Sequence, residues 1–343
     1  MKRPWIAVSI VTALVGAGVA GVASADTETA EAGFDFGNGE TVAEGLELPW
    51  GMDFLPDGSA LFAQRDTAEI KQVKPGGEAE VVATLDEVQP NGEGGLLGLA
   101  VSPTYDEDKF VYVYYTTGED NRVARLTLDN PAPEVIIDGI PRASIHNGGR
   151  LEFGPDGKLY ATTGDASNGD NSQDPENLGG KILRVNPDGS VPDDNPTKGS
   201  PVYTLGHRNV QGIAWTKEGQ AFASELGQNT WDEVNKIEAG KNYGWPEVEG
   251  EGGEPEYVDP IVTWATSEAS PSGAEIVGDT MFVAALRGER LWLVPHGGGD
   301  PTAVLEGEVG RIRTVELGPD GYLWIATANG SDDKILRFPP EQV

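Results

Sequence analysis

Six times along this 343-residue chain, a short run of alternating apolar and polar positions enters a turn and leaves as a second apolar run. The clearest copies span 51–62, 149–160 and 313–324, each a strand, a Pro-Asp-Gly turn and a strand. Looser copies span 97–112, 212–222 and 273–282, with other turns at their centres. Proline fixes one backbone angle of such a turn and glycine supplies the left-handed one, so the turns join strands tightly. Recurrence every ~40–60 residues is the spacing of propeller blades rather than of solenoid repeats. No amphipathic run of ten or more residues at helical spacing interrupts the copies, which argues against an α/β fold. A β-sandwich with unevenly spaced hairpins is the competing arrangement; the repeat favours an all-β, six-bladed β-propeller.

Ahead of the repeats, a basic start at Lys2 and Arg3 runs into an apolar stretch that ends in Ala23-Ser24-Ala25. Small residues at that point mark residues 1–25 as a secretory signal peptide, cut near Asp26. The expected product is secreted, either extracellular or periplasmic. It has no later apolar run long enough to span a membrane. No linker rich in Ser, Pro or Gly separates the copies, so 26–343 reads as a single domain, its first fifteen or so residues expected to lack order. The absence of cysteine removes disulfides, thiolate metal sites, cysteine nucleophiles and lipid anchoring through a cysteine. The formal charge of −32 becomes −34 once Lys2 and Arg3 are removed. Such a surface repels nucleic acid and anionic membranes and suits an extracellular or high-salt setting.

Against that acidity the basic residues stand out. His146 precedes the third copy, His207-Arg208-Asn209 the fourth, and Arg311 and Arg313 sit at the mouth of the last, while Arg287 follows the fifth. Innermost propeller strands all begin at one end of the central channel, so these residues are expected to converge on one anion-binding pocket. Arg311 and Arg313, two apart on a strand, should point the same way and pair carboxylate oxygens. A single such arginine is more often a surface ion pair; several at matching positions are not. His146 lies in Ser144-Ile-His-Asn-Gly-Gly-Arg150, where glycines could let the backbone approach a ligand. A neutral imidazole suits proton removal from a hydroxyl, although a lone loop histidine is often structural. His207 has no comparable context beyond holding its own turn. Carboxylates and carbonyls in 224–233 and 240–246 suit a hard cation, calcium before magnesium, while zinc lacks cysteines or paired histidines. The acidic loops 168–174 and 186–194 read as solvated turns.

Five segments in order resemble the glucose/sorbosone dehydrogenase family: Gly94-Gly-Leu-Leu-Gly98, His146-Asn-Gly-Gly-Arg-Leu151, Gly206-His-Arg-Asn-Val-Gln-Gly212, Asp232-Glu-Val-Asn235 with Asn242-Tyr-Gly-Trp-Pro246, and Arg311-Ile-Arg313. The likeness runs from about Leu48 to Arg337. It implies a propeller that holds pyrroloquinoline quinone (PQQ) and calcium on its upper face and oxidises the anomeric hydroxyl of an aldose sugar to a lactone. In that family pattern His146 is the base and Arg208 sits beside the reactive quinone carbonyl. Asn209 is a cofactor contact, and Arg311 and Arg313 neutralise the cofactor carboxylates. Arg287 falls where lysine is frequent, and Trp264 and Thr266 flank the cofactor plane. Carbonyls of Gly227 and Gln228 hold the catalytic calcium. A structural calcium matches Glu233 and the carbonyl of Tyr243.

Three departures from the pattern have physical consequences. Glu93 replaces a cofactor-contacting glutamine, and a carboxylate near an anionic quinone costs affinity unless it is protonated or paired. Ile145 replaces an acidic residue beside the base, removing one tuner of the histidine. Gln228 replaces a proline, which a backbone ligand tolerates. The rival expectations are a non-enzymatic glycan-binding propeller and a calcium-dependent lactonase, since fold alone does not fix function. The sugar is unspecified, and the assembly is expected to be a monomer or dimer. No Cys-x-x-Cys-His haem motif is present, so electrons should pass to a separate acceptor.

Overall fold

The computed structural model describes residues 33–341, and its described residues form six four-stranded antiparallel sheets. The signal segment lies outside the described residues. Each hairpin read from the sequence is the first and second strand of one sheet. The innermost strands are Pro49–Phe54, Leu96–Val101, Leu151–Phe153, Val210–Trp215, Pro271–Val277 and Ile312–Leu317, and they begin blades one to six. Turn chemistry behaves as expected at Gly58, Gly157 and Gly321, all with positive φ. The helices among the described residues are single turns, Tyr105–Asp108 in one loose copy, Asp170–Gln173, and a 3-10 turn at Phe36–Asn38.

Ring closure is not visible in the hairpin pattern. Glu40–Leu46 supplies the outer strand of blade six, pairing antiparallel with Asp333–Phe338. Arg337 clamps it by ion pairs to Glu40 at 2.6 Å and Asp320 at 2.7 Å. Buried Asp333 accepts the Leu48 N–H at 3.0 Å, tying the entry of blade one to blade six. At the start of the described residues Phe34 packs at the seam of blades five and six, buried against Phe282 of blade five with ring centroids 5.5 Å apart.

Apolar positions of facing sheets fill the seams between blades, and close approach at the hub demands small residues. A Cβ on Gly98 would lie 2.1 Å from the Gly149 carbonyl oxygen of the next blade. Arg150, fully buried, plugs the channel. It stacks on Trp50 of blade one at 4.5 Å and donates to the Gln211 carbonyl of blade four at 3.0 Å and to Thr314 Oγ1 of blade six at 3.1 Å.

Below that plug four carboxylates face one another from four inner strands: Asp53, Glu152, Glu275 and Glu316. Burial pushes Asp53 up to about 6 and Glu275 up to about 7, and it holds Glu152 and Glu316 well above the carboxylate range, with mutual repulsion adding to it. A carboxyl whose folded pKa is raised binds more protons folded than unfolded, so stability falls as pH rises from its unfolded value through its folded one. Stability should therefore decline between pH ~4 and ~7 through Asp53 and Glu275. Glu275→Gln should flatten that decline and add on the order of 1–2 kcal/mol at pH 8, once wetting of the channel end is allowed for. Urea unfolding of both proteins from pH 4 to 8 measures it; parallel curves would contradict it.

Candidate active site

At the opposite end of the channel the connection from blade two to blade three carries His146. Its backbone is left-handed, with φ 60°, a conformation that costs a non-glycine residue energy and persists only where the surroundings impose it. Those surroundings are specific. Asn147 is buried, accepting the Ala143 N–H at 3.1 Å and donating to the Ala143 carbonyl at 2.9 Å. Tyr114 OH donates to the Asn147 carbonyl at 2.8 Å. Glu93 Oε2 accepts the His146 N–H at 2.9 Å, and Asn209 Oδ1 accepts that of Gly148 at 2.9 Å. The glycines serve packing here rather than ligand approach. A Cβ on Gly148 would fall 2.5 Å from Thr163 Cα, and one on Gly149 would fall 2.8 Å from Leu97.

The imidazole is held at both nitrogens. Nδ1 lies 2.8 Å from Asp165 Oδ1, and Arg208 Nη2 lies 2.8 Å from Nε2. Asp165 is buried; its Oδ1 also accepts the Ser167 N–H at 2.7 Å and its Oδ2 accepts Trp245 Nε1–H at 2.9 Å. An ionised carboxylate only accepts and a guanidinium only donates. The neutral ring therefore carries its proton on Nδ1 and presents a lone pair at Nε2, the form a general base needs. The carboxylate beside the base thus comes from Asp165 in blade three. Ile145, the residue at the adjacent position, is exposed and plays no part in it.

Arg208 sits over the Trp245 ring at 5.5 Å and donates Nη1–H to the Leu226 carbonyl at 3.0 Å. Burial lowers its pKa, while Asp165, Glu225, Glu249 and Glu93 oppose that fall. Its Nε and the Nδ2 of Asn209 are buried donors without partners. Arg313, also buried, donates to Gln211 Oε1 at 2.7 Å and Ser272 Oγ at 3.4 Å, both neutral. Burial brings its guanidinium down to about 9, and Glu93 is the nearby carboxylate that opposes this. The expected arginine pair is divided, however. Arg311 lies ahead of the strand and is exposed, and the register is irregular between Ile312 and Thr314, so the period-two rule does not carry across. Arg287 is exposed as well. Glu93 is engaged by the base loop, accepting the His146 N–H.

The remaining assigned residues occupy blade four and its seam with blade five. Trp264 is buried and stacked on Trp292 at 5.3 Å, and half-buried Thr266 follows it, its carbonyl accepting Ser270 Oγ–H. Gly227 and Gln228 lie in the loop between the second and third strands of blade four. Glu233 accepts the Gly250 N–H at 2.7 Å and Asn235 Nδ2–H at 3.1 Å, and burial beside Glu225 pushes it up to about 8. Asn235 Oδ1 is buried without a partner. Tyr243 stacks on His207 at 4.6 Å. His207 does have a context: its Nδ1 meets Glu225 Oε2 at 2.8 Å and its Nε2 meets Thr204 Oγ1 at 2.9 Å. It is fully buried and closed off, so it braces the turn that presents Arg208.

With this geometry in hand, a family model described as glucose/sorbosone dehydrogenase matches residues 46–337, most of the chain. The chain belongs to that family. Among solved structures it is similar to the PQQ-bound form of an aldose sugar dehydrogenase from Streptomyces coelicolor, 47% identical, with a TM-score of 0.84 over 89% of this chain and 99% of that one. It is 28% identical to the aldose sugar dehydrogenase YliI of Escherichia coli across 88% of this chain and 93% of the relative. It is 32% identical to quinoprotein glucose dehydrogenase B of Acinetobacter calcoaceticus across 62% of this chain and 52% of that one. This glucose/sorbosone dehydrogenase family chain therefore shares its six-bladed ring with the Streptomyces coelicolor structure along nearly the whole of that chain. Among the described residues no helix is long and apolar enough to cross a membrane.

Proposed function

We propose that this family member is an exported quinoprotein dehydrogenase that oxidises the anomeric hydroxyl of aldoses to lactones, using PQQ and calcium and passing electrons to a separate acceptor. The observation that carries the reading is His146, fixed as a base with its lone pair at Nε2 and its other nitrogen on Asp165. The site also fits the cofactor. Arg208 Nε and Asn209 Nδ2 are orphaned donors, and the resolved partners of Arg313 are neutral, so an anion with several carboxylates would satisfy all three.

Bound PQQ supplies an electrophilic quinone able to accept a hydride. The chain's own residues do the rest. Nε2 now receives the Arg208 Nη2–H, so a substrate hydroxyl becomes its partner only by taking that place. Nε2 then removes the hydroxyl proton as the anomeric carbon gives up its hydride, leaving a lactone and an imidazolium. Asp165 stabilises that imidazolium, and Arg208, beside Nε2, would stabilise negative charge developing on the bound quinone. Glu93 and Asn147 hold the loop so that none of this requires backbone movement. Carbonyls of Gly227 and Gln228 would hold the calcium beside the cofactor. A second calcium would be held by Glu233 and the Tyr243 carbonyl, with the orphaned Asn235 Oδ1 as a further oxygen donor. Arginines at the mouth weigh against a lactonase, which needs carboxylate and Asn side chains there.

The test is dye reduction by purified protein loaded with PQQ and calcium, across a panel of aldoses, with the product identified. Sugar-dependent reduction with lactone formation is expected. Cofactor uptake with no aldose oxidised would contradict the reading.

A further inference from the structure

The loop between the second and third strands of blade four has an unusual hydrogen-bond pattern. Glu249 Oε1 alone accepts the N–H groups of Gln228, Asn229, Thr230 and Trp231, at 2.6, 3.0, 3.1 and 3.3 Å. The preceding N–H, of Gly227, goes to Asp232 Oδ1 at 2.9 Å, and Asp232 Oδ2 accepts the Ser270 N–H at 2.6 Å, fixing the loop to the start of blade five. Five consecutive donors are therefore spent on two carboxylates. The turn is too tight for a side chain at its start, since a Cβ on Gly227 would lie 2.9 Å from Glu249 Oε1 and closer still to the Trp231 carbonyl.

In a planar trans peptide the carbonyl of one residue points opposite to the N–H of the next. The bonds from Gln228 and Asn229 to Glu249 accordingly turn the Gly227 and Gln228 carbonyls away from the carboxylate, side by side. We propose that Glu249 is a positioning residue for calcium: by gathering the loop's donors behind it, it aims these two carbonyls outward as a preformed pair of cation ligands. The inference rests on the quinoprotein reading and deepens it. Bonds to a carboxylate are stronger than neutral ones, which is what lets one side chain hold four peptides in one orientation. Outer groups that orient metal ligands typically contribute 10–100-fold in metal affinity.

The experiment titrates calcium into apo protein at fixed PQQ and reads cofactor uptake from its absorbance. Glu249→Ala should raise the calcium midpoint about 10–100-fold, and Glu249→Gln, which keeps an oxygen acceptor without the charge, by a smaller factor. At saturating calcium both variants should regain the wild-type kcat and sugar KM, which damage to the fold would not allow. A Glu249→Ala midpoint within about two-fold of wild type overturns the proposal. Should that variant fail to fold, Glu249→Gln decides: a raised midpoint supports it and an unchanged one overturns it. Wild-type protein that takes up no PQQ at any calcium concentration overturns the quinoprotein reading and this proposal with it. Uptake by wild type with no shift in the variants overturns this proposal alone.

Discussion

Asp165→Asn is expected to lower kcat about 10³–10⁴-fold while PQQ uptake stays near wild type. An amide whose oxygen keeps the Trp245 Nε1–H retains that anchor and gives up the Ser167 N–H that Oδ1 accepted. Its NH₂ group, however, would face His146 Nδ1 and donate to it. That moves the ring proton to Nε2, where the lone pair is needed, and leaves an imidazolium without its buried counter-charge. The cofactor contacts at Arg208, Asn209 and Arg313 are untouched. Steady-state kinetics with cofactor titration separates the two effects; a kcat within about ten-fold of wild type would mean that Asp165 does not set the tautomer.

The second large effect concerns the hub. Arg150→Ala is expected to cost about 3–5 kcal/mol of stability, which for a domain this size lowers Tm by roughly 5–8 °C. The guanidinium fills the channel against Trp50, ties blade three to blades four and six, and lies 4.0 Å from Glu316, whose Oε1 has no hydrogen-bond partner. Its removal leaves a cavity and strips the Gln211 carbonyl and Thr314 Oγ1 of their donor. The cost should change little in a Glu316→Gln background, because burial already keeps the Glu316 carboxyl protonated. Calorimetry on the four proteins of that cycle measures both terms, and a loss below about 1 kcal/mol for the single variant would contradict the plug.

Much of this molecule can be read from its residues, and the parts that cannot share a cause. The six hairpins are local, with turn chemistry and apolar alternation inside a dozen residues, so each maps onto the first two strands of a blade. Closure by Glu40–Leu46 joins residues almost 300 positions apart and leaves no local trace. His146, Arg208, Asn209 and Arg313 were legible because they open inner strands, which share one end of the channel. Arg311 misled because a strand irregularity breaks the alternation.

Asp165 was missed because Gly164-Asp165-Ala166 looks like any turn. A signal existed. His146 and Asp165, and His207 and Glu225, are histidine–carboxylate pairs in successive blades, 19 and 18 residues apart, each linking a blade entry to the end of its second strand. Comparing the two blades position by position would have paired them. What then distinguishes base from brace is burial, since His207 is sealed and His146 retains a face toward the mouth, and burial is a property of the assembled ring. Glu249 was hidden for a similar reason, lying 21 residues from the loop it organises.

The most direct measurement is single-turnover reduction of bound PQQ by an aldose, compared with the same sugar deuterated at the anomeric carbon, in wild type and His146→Ala. The account predicts rapid reduction in wild type, slowed by deuterium, and a loss of about 10²–10⁴-fold in the variant with the cofactor still bound. Reduction that is indifferent to His146 would contradict it.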